Sequence, residues 1–135
     1  MIDNKLSEVD VCFLIASSAK KSYQKLSEVY SAIEPPTWAL LLAQSCRSVG
    51  FKVSIVDANA ENLSQQQTLT RINELNPKIV CLVVYGQNVN AGTTNMRGAI
   101  DITNFLKTNK ISYPIAFIGS HVQALPIQSL KKEKN

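Results

Sequence analysis

The sequence is poor in the residues that build metal centres. It holds one histidine, His121, and three cysteines, Cys12, Cys46 and Cys81, far apart along 135 residues. No two cysteines have the short Cys-x-x-Cys spacing of zinc and iron–sulfur sites, and one imidazole cannot anchor an all-protein transition-metal centre. The cysteines, each in an apolar setting, read as small core residues in a reducing compartment. Long apolar runs are missing as well; none approaches the roughly 20 residues of a membrane span. The first eight residues lack the apolar core of a secretory signal, which leaves the cytoplasm as the expected compartment. There is no Walker loop and no Gly-x-Gly-x-x-Gly turn after the first apolar segment, so nucleotide binding has little support. A phosphoacceptor domain needs carboxylates where this chain has Ala16-Ser17-Ser18 and Tyr85-Gly86, and is excluded.

What is present is the composition of an ordinary globular protein, 45% hydrophobic and 18% charged. The net charge of +4 says little about partners. Lys131, Lys132 and Lys134 crowd the last five residues, and Lys20, Lys21 and Lys25 share one loop-like segment. Neither group is interleaved with aromatics, so they read as solvated lysines and not as a nucleic-acid surface. The expected organisation is a single domain over residues 1–130 followed by a lysine-rich tail, 131–135.

Four apolar segments alternate with helical patterns. Residues 9–15 form an almost unbroken apolar first strand. Residues 19–34 are polar-leaning, though Leu26, Val29, Tyr30 and Ile33 have the spacing of a short helix. Pro35-Pro36 then blocks helix continuation, with Thr37 as the N-cap of the next helix. Its expected buried face is Trp38, Leu41, Leu42, Ser45 and Val49, and Gly50 sits where a C-terminal cap belongs. Residues 51–56 are the second strand. Ser64 and Gln67 make a capping-box pattern for a helix with Leu69, Ile72 and Leu75 inward, ended by Asn76-Pro77. Residues 79–85 are a strand apolar on both faces. Thr93 or Thr94 caps a third helix with Met96, Ala99, Ile100, Thr103 and Leu106 at helical spacing. Residues 114–119 are a short fourth strand, and Pro126 sits in the first turn of a last helix. Strand and helix alternating four times predict an α/β, doubly wound parallel sheet of flavodoxin-like (Rossmann-like) order, lacking its fifth strand.

In that architecture the loops at 16–18, 86–92 and 119–126 converge on the carboxyl edge of the sheet, where open α/β folds bind ligands. They carry Ser17, Ser18, Gly86, Asn88, Asn90, Gly92, Gly119 and Ser120, residues that let backbone approach a ligand and satisfy its polar rim. The same residues also suit ordinary turns. Tyr85 ends the third strand and either packs at the rim or joins the site. His121 reads as a metal ligand, a general base, or a solvated or capping residue. Asp57 and Glu61 are an acidic pair best placed ahead of a helix. No catalytic constellation is visible.

Five stretches in order carry a family resemblance: Pro35-Pro36 to Ala43, Gly50 to Leu63 with Asp57 at a strand end, Asn76 to Val80, Asn88-Val89-Asn90, and Gly119-Ser120-His121 to Pro126. Over residues 35–130 the chain resembles the N-terminal cobalamin (B12)-binding domain of B12-dependent radical SAM proteins. The resemblance implies a cobalamin over the carboxyl edge, its nucleotide tail entering between the loops after strands one, three and four. The contacts it implies are Ser17, Ser18, Tyr85, Gly86, Asn88, Val89, Asn90, Gly119, Ser120 and His121. Ser120 replaces a glycine of the family's Gly-Gly-x-His stretch, placing a side chain where the tail passes. The Asp-x-His-x-x-Gly motif of methionine-synthase-like proteins is absent, which implies a cobalt without a histidine lower ligand from the first loop. The radical SAM barrel and its Cys-x-x-x-Cys-x-x-Cys cluster are not in this chain, so no iron–sulfur cluster and no independent catalysis are expected, and a radical SAM domain or subunit is the implied partner. Two alternatives stand beside this: a cofactor-free interaction domain or truncated remnant, pairing with another chain or subunit through an exposed sheet edge, and a small flavodoxin-like enzyme or flavin carrier using the same loops.

Overall fold

The computed structural model describes residues 9–17, 34–85 and 89–132, with the backbone alone at 89–94 and 132. The element order is β1 (Val9–Ile15), α1 (Thr37–Ser48), β2 (Val53–Asp57), α2 (Gln65–Leu75), β3 (Pro77–Val83), α3 (Val89–Thr108), β4 (Ile115–Ile118), α4 (Ser120–Ala124) and α5 (Pro126–Lys132). The expected helix within 19–34 lies outside the described residues.

The four strands form one parallel sheet in the order β2-β1-β3-β4. That is the flavodoxin-like order, with β1 and β3 at the centre. Residues alternate between two apolar layers, as side-chain direction in a strand requires. Cys12, Leu14, Val56, Val80, Leu82 and Val84 face the layer sealed by α2 and α3, through Leu69, Ile72, Met96, Ala99, Ile102 and Leu106. Phe13, Val83, Ile15, Cys81, Tyr85 and Ile118 belong to the other layer, with Ala39 and Ala43 of α1. α1 lies over β2 and β1. In the α2–α3 layer Cys12, Leu14, Val56, Val80, Leu82 and Val84 are buried and Ile115 and Phe117 of β4 are half-buried, whereas in the α1 layer Val11, Ile15, Cys81 and Ile118 stay half-buried.

α1 turns a different face inward from the one its bulky residues predict. Ala39 and Ala43 are buried, with Leu42 and Cys46 partly so, at i, i+3, i+4 and i+7. Trp38, Leu41 and Val49 are exposed. Two alanines one turn apart let the helix backbone settle close to the sheet, and that close approach outweighs the bulk on the flank. Thr37 is the first helical residue and not the cap; Pro36 holds the cap position without a side-chain bond. At the other end Gly50, at φ +97°, closes a Schellman motif: its N–H donates to Arg47 O at 3.0 Å, and Phe51 N–H to Cys46 O at 3.2 Å.

α2 begins with the expected capping box: Gln67 N–H donates to Ser64 Oγ at 3.1 Å, and Ser64 N–H to Gln67 Oε1 at 2.8 Å. It ends at Asn76, which takes the left-handed conformation and hands the chain to Pro77, the first residue of β3. α3 starts at Val89, several residues before Thr93 and Thr94, so neither threonine is its cap.

The amino edge of the sheet is pinned electrostatically. The Asp10 carboxylate accepts from Lys78 Nζ on β3 and, at 2.8 Å, from Lys52 N–H ahead of β2. The ammonium and the amide together hold its carboxyl below the usual 3.8.

Candidate functional site at the carboxyl edge

All four strands point their carboxyl ends to one edge. Register places Val83 beside Ile118, and Leu14 beside Leu82 and Val56. Ser17 lies two residues beyond β1, Tyr85 two beyond β3, and Gly119, Ser120 and His121 directly after β4. The strand ends thus bring these five predicted residues to one edge. Ser17, Tyr85, Ser120 and His121 are half-buried, and Gly119 is buried. Val89 and Asn90 stand in the first turn of α3 and not in a loop. Ser18, Gly86 and Asn88 lie outside the described residues.

The ends of β3 and β4 close tightly on each other. Val84 N–H donates to Ile118 O at 2.7 Å. A Cβ on Gly119 would stand 2.1 Å from the Val84 carbonyl oxygen and 2.8 Å from its carbon. The room left by this missing side chain is filled by protein backbone. Gly119 is therefore required by packing, whatever ligand the edge receives.

On the α1 side the edge carries an aromatic pair. Trp38, in the first turn of α1, stacks on Tyr85 with ring centroids 4.6 Å apart and planes 21° apart. Trp38 remains 49% exposed. Asn95 Nδ2 on α3 donates to Tyr85 O at 3.1 Å, fixing the backbone on which that ring stands. Sequence reasoning found Tyr85 but assigned Trp38 to the core. The signal that separates the two roles is the Ala39–Ala43 pair, which identifies a competing inward face.

On the opposite, α2–α3 side, a cleft of about 490 Å³ opens between the end of β1, the β2–α2 loop and α3. Ser17, Ser64, Gln67, Thr68 and Asp101 contribute its polar lining. Of the predicted contacts only Ser17 reaches it. The acidic pair beside this cleft is structural: Asp57 Oδ1 accepts from Ala60 N–H at 2.9 Å, and Glu61 pairs with Arg71 at 3.2 Å. Among the described residues no cluster of three or more His, Cys, Asp and Glu side chains can hold a metal ion. No described helix is long and apolar enough to cross a membrane. Burial pushes the Cys12 thiol to about 12, with Cys81 adding to it, and pushes Cys81 to about 11, with Cys46 adding to it. None of the three cysteines is in a disulfide. Cys12 and Cys81 are thus protonated core thiols, unsuited to nucleophilic chemistry at neutral pH.

A family model for the B12 binding domain matches residues 24–135. The chain belongs to the B12-binding domain family. No curated protein and no solved structure matches it. The match begins after β1, yet β1 is a central strand with a neighbour on each side. The structural unit of this B12-binding domain therefore extends beyond the matched residues to include Val9–Ile15. The carboxyl edge fits a corrinoid chemically. It offers hydroxyl and imidazole groups at Ser17, Ser120 and His121 for amide side chains, and half-buried Ile15, Cys81, Tyr85 and Ile118 for flat apolar surface.

Proposed function

We propose that this B12-binding domain is a cobalamin carrier working with a radical SAM methyltransferase-type domain or subunit, and that it holds the corrin over the carboxyl edge of its sheet. The observation that carries this reading is the convergence at one edge of Ser17, Tyr85, Gly119, Ser120 and His121, in a chain whose family is the B12-binding domain. Bound cobalamin supplies a cobalt centre able to carry a methyl group. The chain's own task is to bind and orient: Ser17, Ser120 and His121 hydrogen-bond the rim, and half-buried Ile15, Cys81, Tyr85 and Ile118 supply apolar surface. Ser18, Gly86, Asn88, Val89 and Asn90 complete the proposed contact set. Cys12 and Cys81 are protonated core thiols and Asp57 and Glu61 are held in structural contacts, and the proposed reactive partner is a separate unit.

Cobalt would be held without a histidine below it from the loop after β1, where the sequence has none, and the single histidine, His121 after β4, would serve the corrin rim and not the metal. Electron paramagnetic resonance of the Co(II) form on the protein tests this. The account expects cobalt hyperfine lines without the further splitting an axial nitrogen produces. Nitrogen splitting that persists with a corrinoid lacking its nucleotide, and disappears in His121→Ala, contradicts it.

A further inference from the structure

We propose that the indole of Trp38 is the stacking platform for the heteroaromatic base of the cobalamin nucleotide tail, on the α1 side of the sheet. This inference rests on the cobalamin reading above.

Three observations converge on it. Between the ends of β3 and β4 no passage exists, because the Val84 carbonyl occupies the space beside Gly119. A tail descending from the edge is therefore directed to one face of the sheet or the other. The α2–α3 face is covered by two helices, and the cleft at the end of β1 is lined by the polar capping groups of α2 and by Asp101. That cleft carries no aromatic ring. On the α1 face, among the described residues, a single helix lies over β1 and β2, and Cys81 and Ile118 on β3 and β4 remain half-buried.

Trp38 stands at the top of this open face. One side of its indole is taken by Tyr85, at 4.6 Å, and about half of its surface is free. The arrangement has no packing rationale in α1, whose inward face is Ala39, Leu42, Ala43 and Cys46. It does hold the indole rigid: stacking on Tyr85 fixes the plane, and Asn95 anchors the Tyr85 backbone from α3. A half-exposed indole already stacked on one side accepts a flat base at little cost in side-chain entropy.

The test compares hydroxocobalamin with cobinamide, the corrinoid without the nucleotide, on the whole chain and its variants. Trp38→Ala is expected to lose roughly tenfold to a hundredfold in affinity for cobalamin, the range of a base–aromatic stack. Its affinity for cobinamide is expected to stay within about twofold, as for a surface change away from the contact. Trp38→Phe, which keeps a ring, recovers most of the cobalamin affinity, and thermal melts of all variants exclude misfolding as the cause. Because Trp38 is the single tryptophan, its indole N–H resonance is unique, and it moves on adding cobalamin and not cobinamide. Equal cobalamin affinity in Trp38→Ala overturns the inference while leaving the cobalamin reading intact. So does an equal loss for both corrinoids, or a tail-dependent loss in Asp101→Asn with none in Trp38→Ala. Failure of the unaltered chain to bind either corrinoid overturns the cobalamin reading itself.

Discussion

Gly119 shows how one residue type can answer to two demands. Its position after β4 suits a close ligand approach, and the sequence reading takes it that way. The structure adds a demand that comes first: the Val84 carbonyl oxygen lies 2.1 Å from where a Cβ would be. Its φ of 160° is extended backbone that any residue adopts, so the constraint is space and not conformation. Backbone cannot yield as a flexible side chain does. Gly119→Ala should therefore destabilise the fold by about 1–3 kcal/mol, the usual cost of overpacking, read as a lower urea midpoint with or without corrinoid. An unchanged midpoint would show that the two strand ends can part. Trp38 teaches the converse. Bulk and spacing put it in the core, yet in the fold it is half exposed at the ligand edge, because the smaller Ala39 and Ala43 took the buried face.

At the scale of elements, the sequence reading succeeded where local chemistry is decisive. The Ser64–Gln67 box, Gly50 and Asn76 are each specified by hydrogen bonds or a left-handed turn that few residue types supply, and each stands where expected. The strands were legible for the same reason: β-branched runs bounded by turn residues. What misled was competition between comparable signals. Thr93 and Thr94 are good caps, but α3 already begins at Val89. On α1 two apolar faces about a quarter-turn apart left the choice to tertiary packing. Of the candidate site, Ser17, Tyr85, Gly119, Ser120 and His121 follow from topology alone, since parallel strands deliver their ends to one edge. The Trp38 contribution was not legible, because it depends on which face of α1 meets the sheet. Ser64 offers an element-scale check. Its side chain satisfies one free amide of α2 and its own N–H is satisfied in return. Ser64→Ala should cost about 1 kcal/mol, seen as a lower thermal midpoint, whereas no shift would mean that water replaces the cap fully.

Among the described residues the sheet is covered by α2 and α3 on one face, the sealed side, and by α1 alone over β1 and β2 on the other, the more open side. On the sealed side lie Cys12 and Tyr113, whose phenol reaches Asn73 Oδ1 at 3.3 Å and is pushed to about 12, chiefly by burial. Cys12 is also pushed to about 12, from 9.0, and Tyr113 starts from 10.0. Both groups are neutral when protonated, so at alkaline pH the unfolded chain loses protons that the folded chain keeps. Stability is then fully present below pH 9, declines as the unfolded groups ionise, and has lost these contributions by the time pH passes about 12. Denaturant midpoints should be level up to about pH 9 and fall beyond it, and Cys12→Ala should fall less steeply. An equally steep decline in that variant would assign the effect elsewhere. The open side, with its aromatic pair at the carboxyl edge, is where the account places the ligand. The most direct measurement is to mix the purified chain with hydroxocobalamin, remove free corrinoid by desalting, and record the visible spectrum of the protein fraction. The account predicts a coloured fraction holding about one corrinoid per chain at saturation. A colourless fraction, with titration showing no affinity tighter than about millimolar, would contradict it.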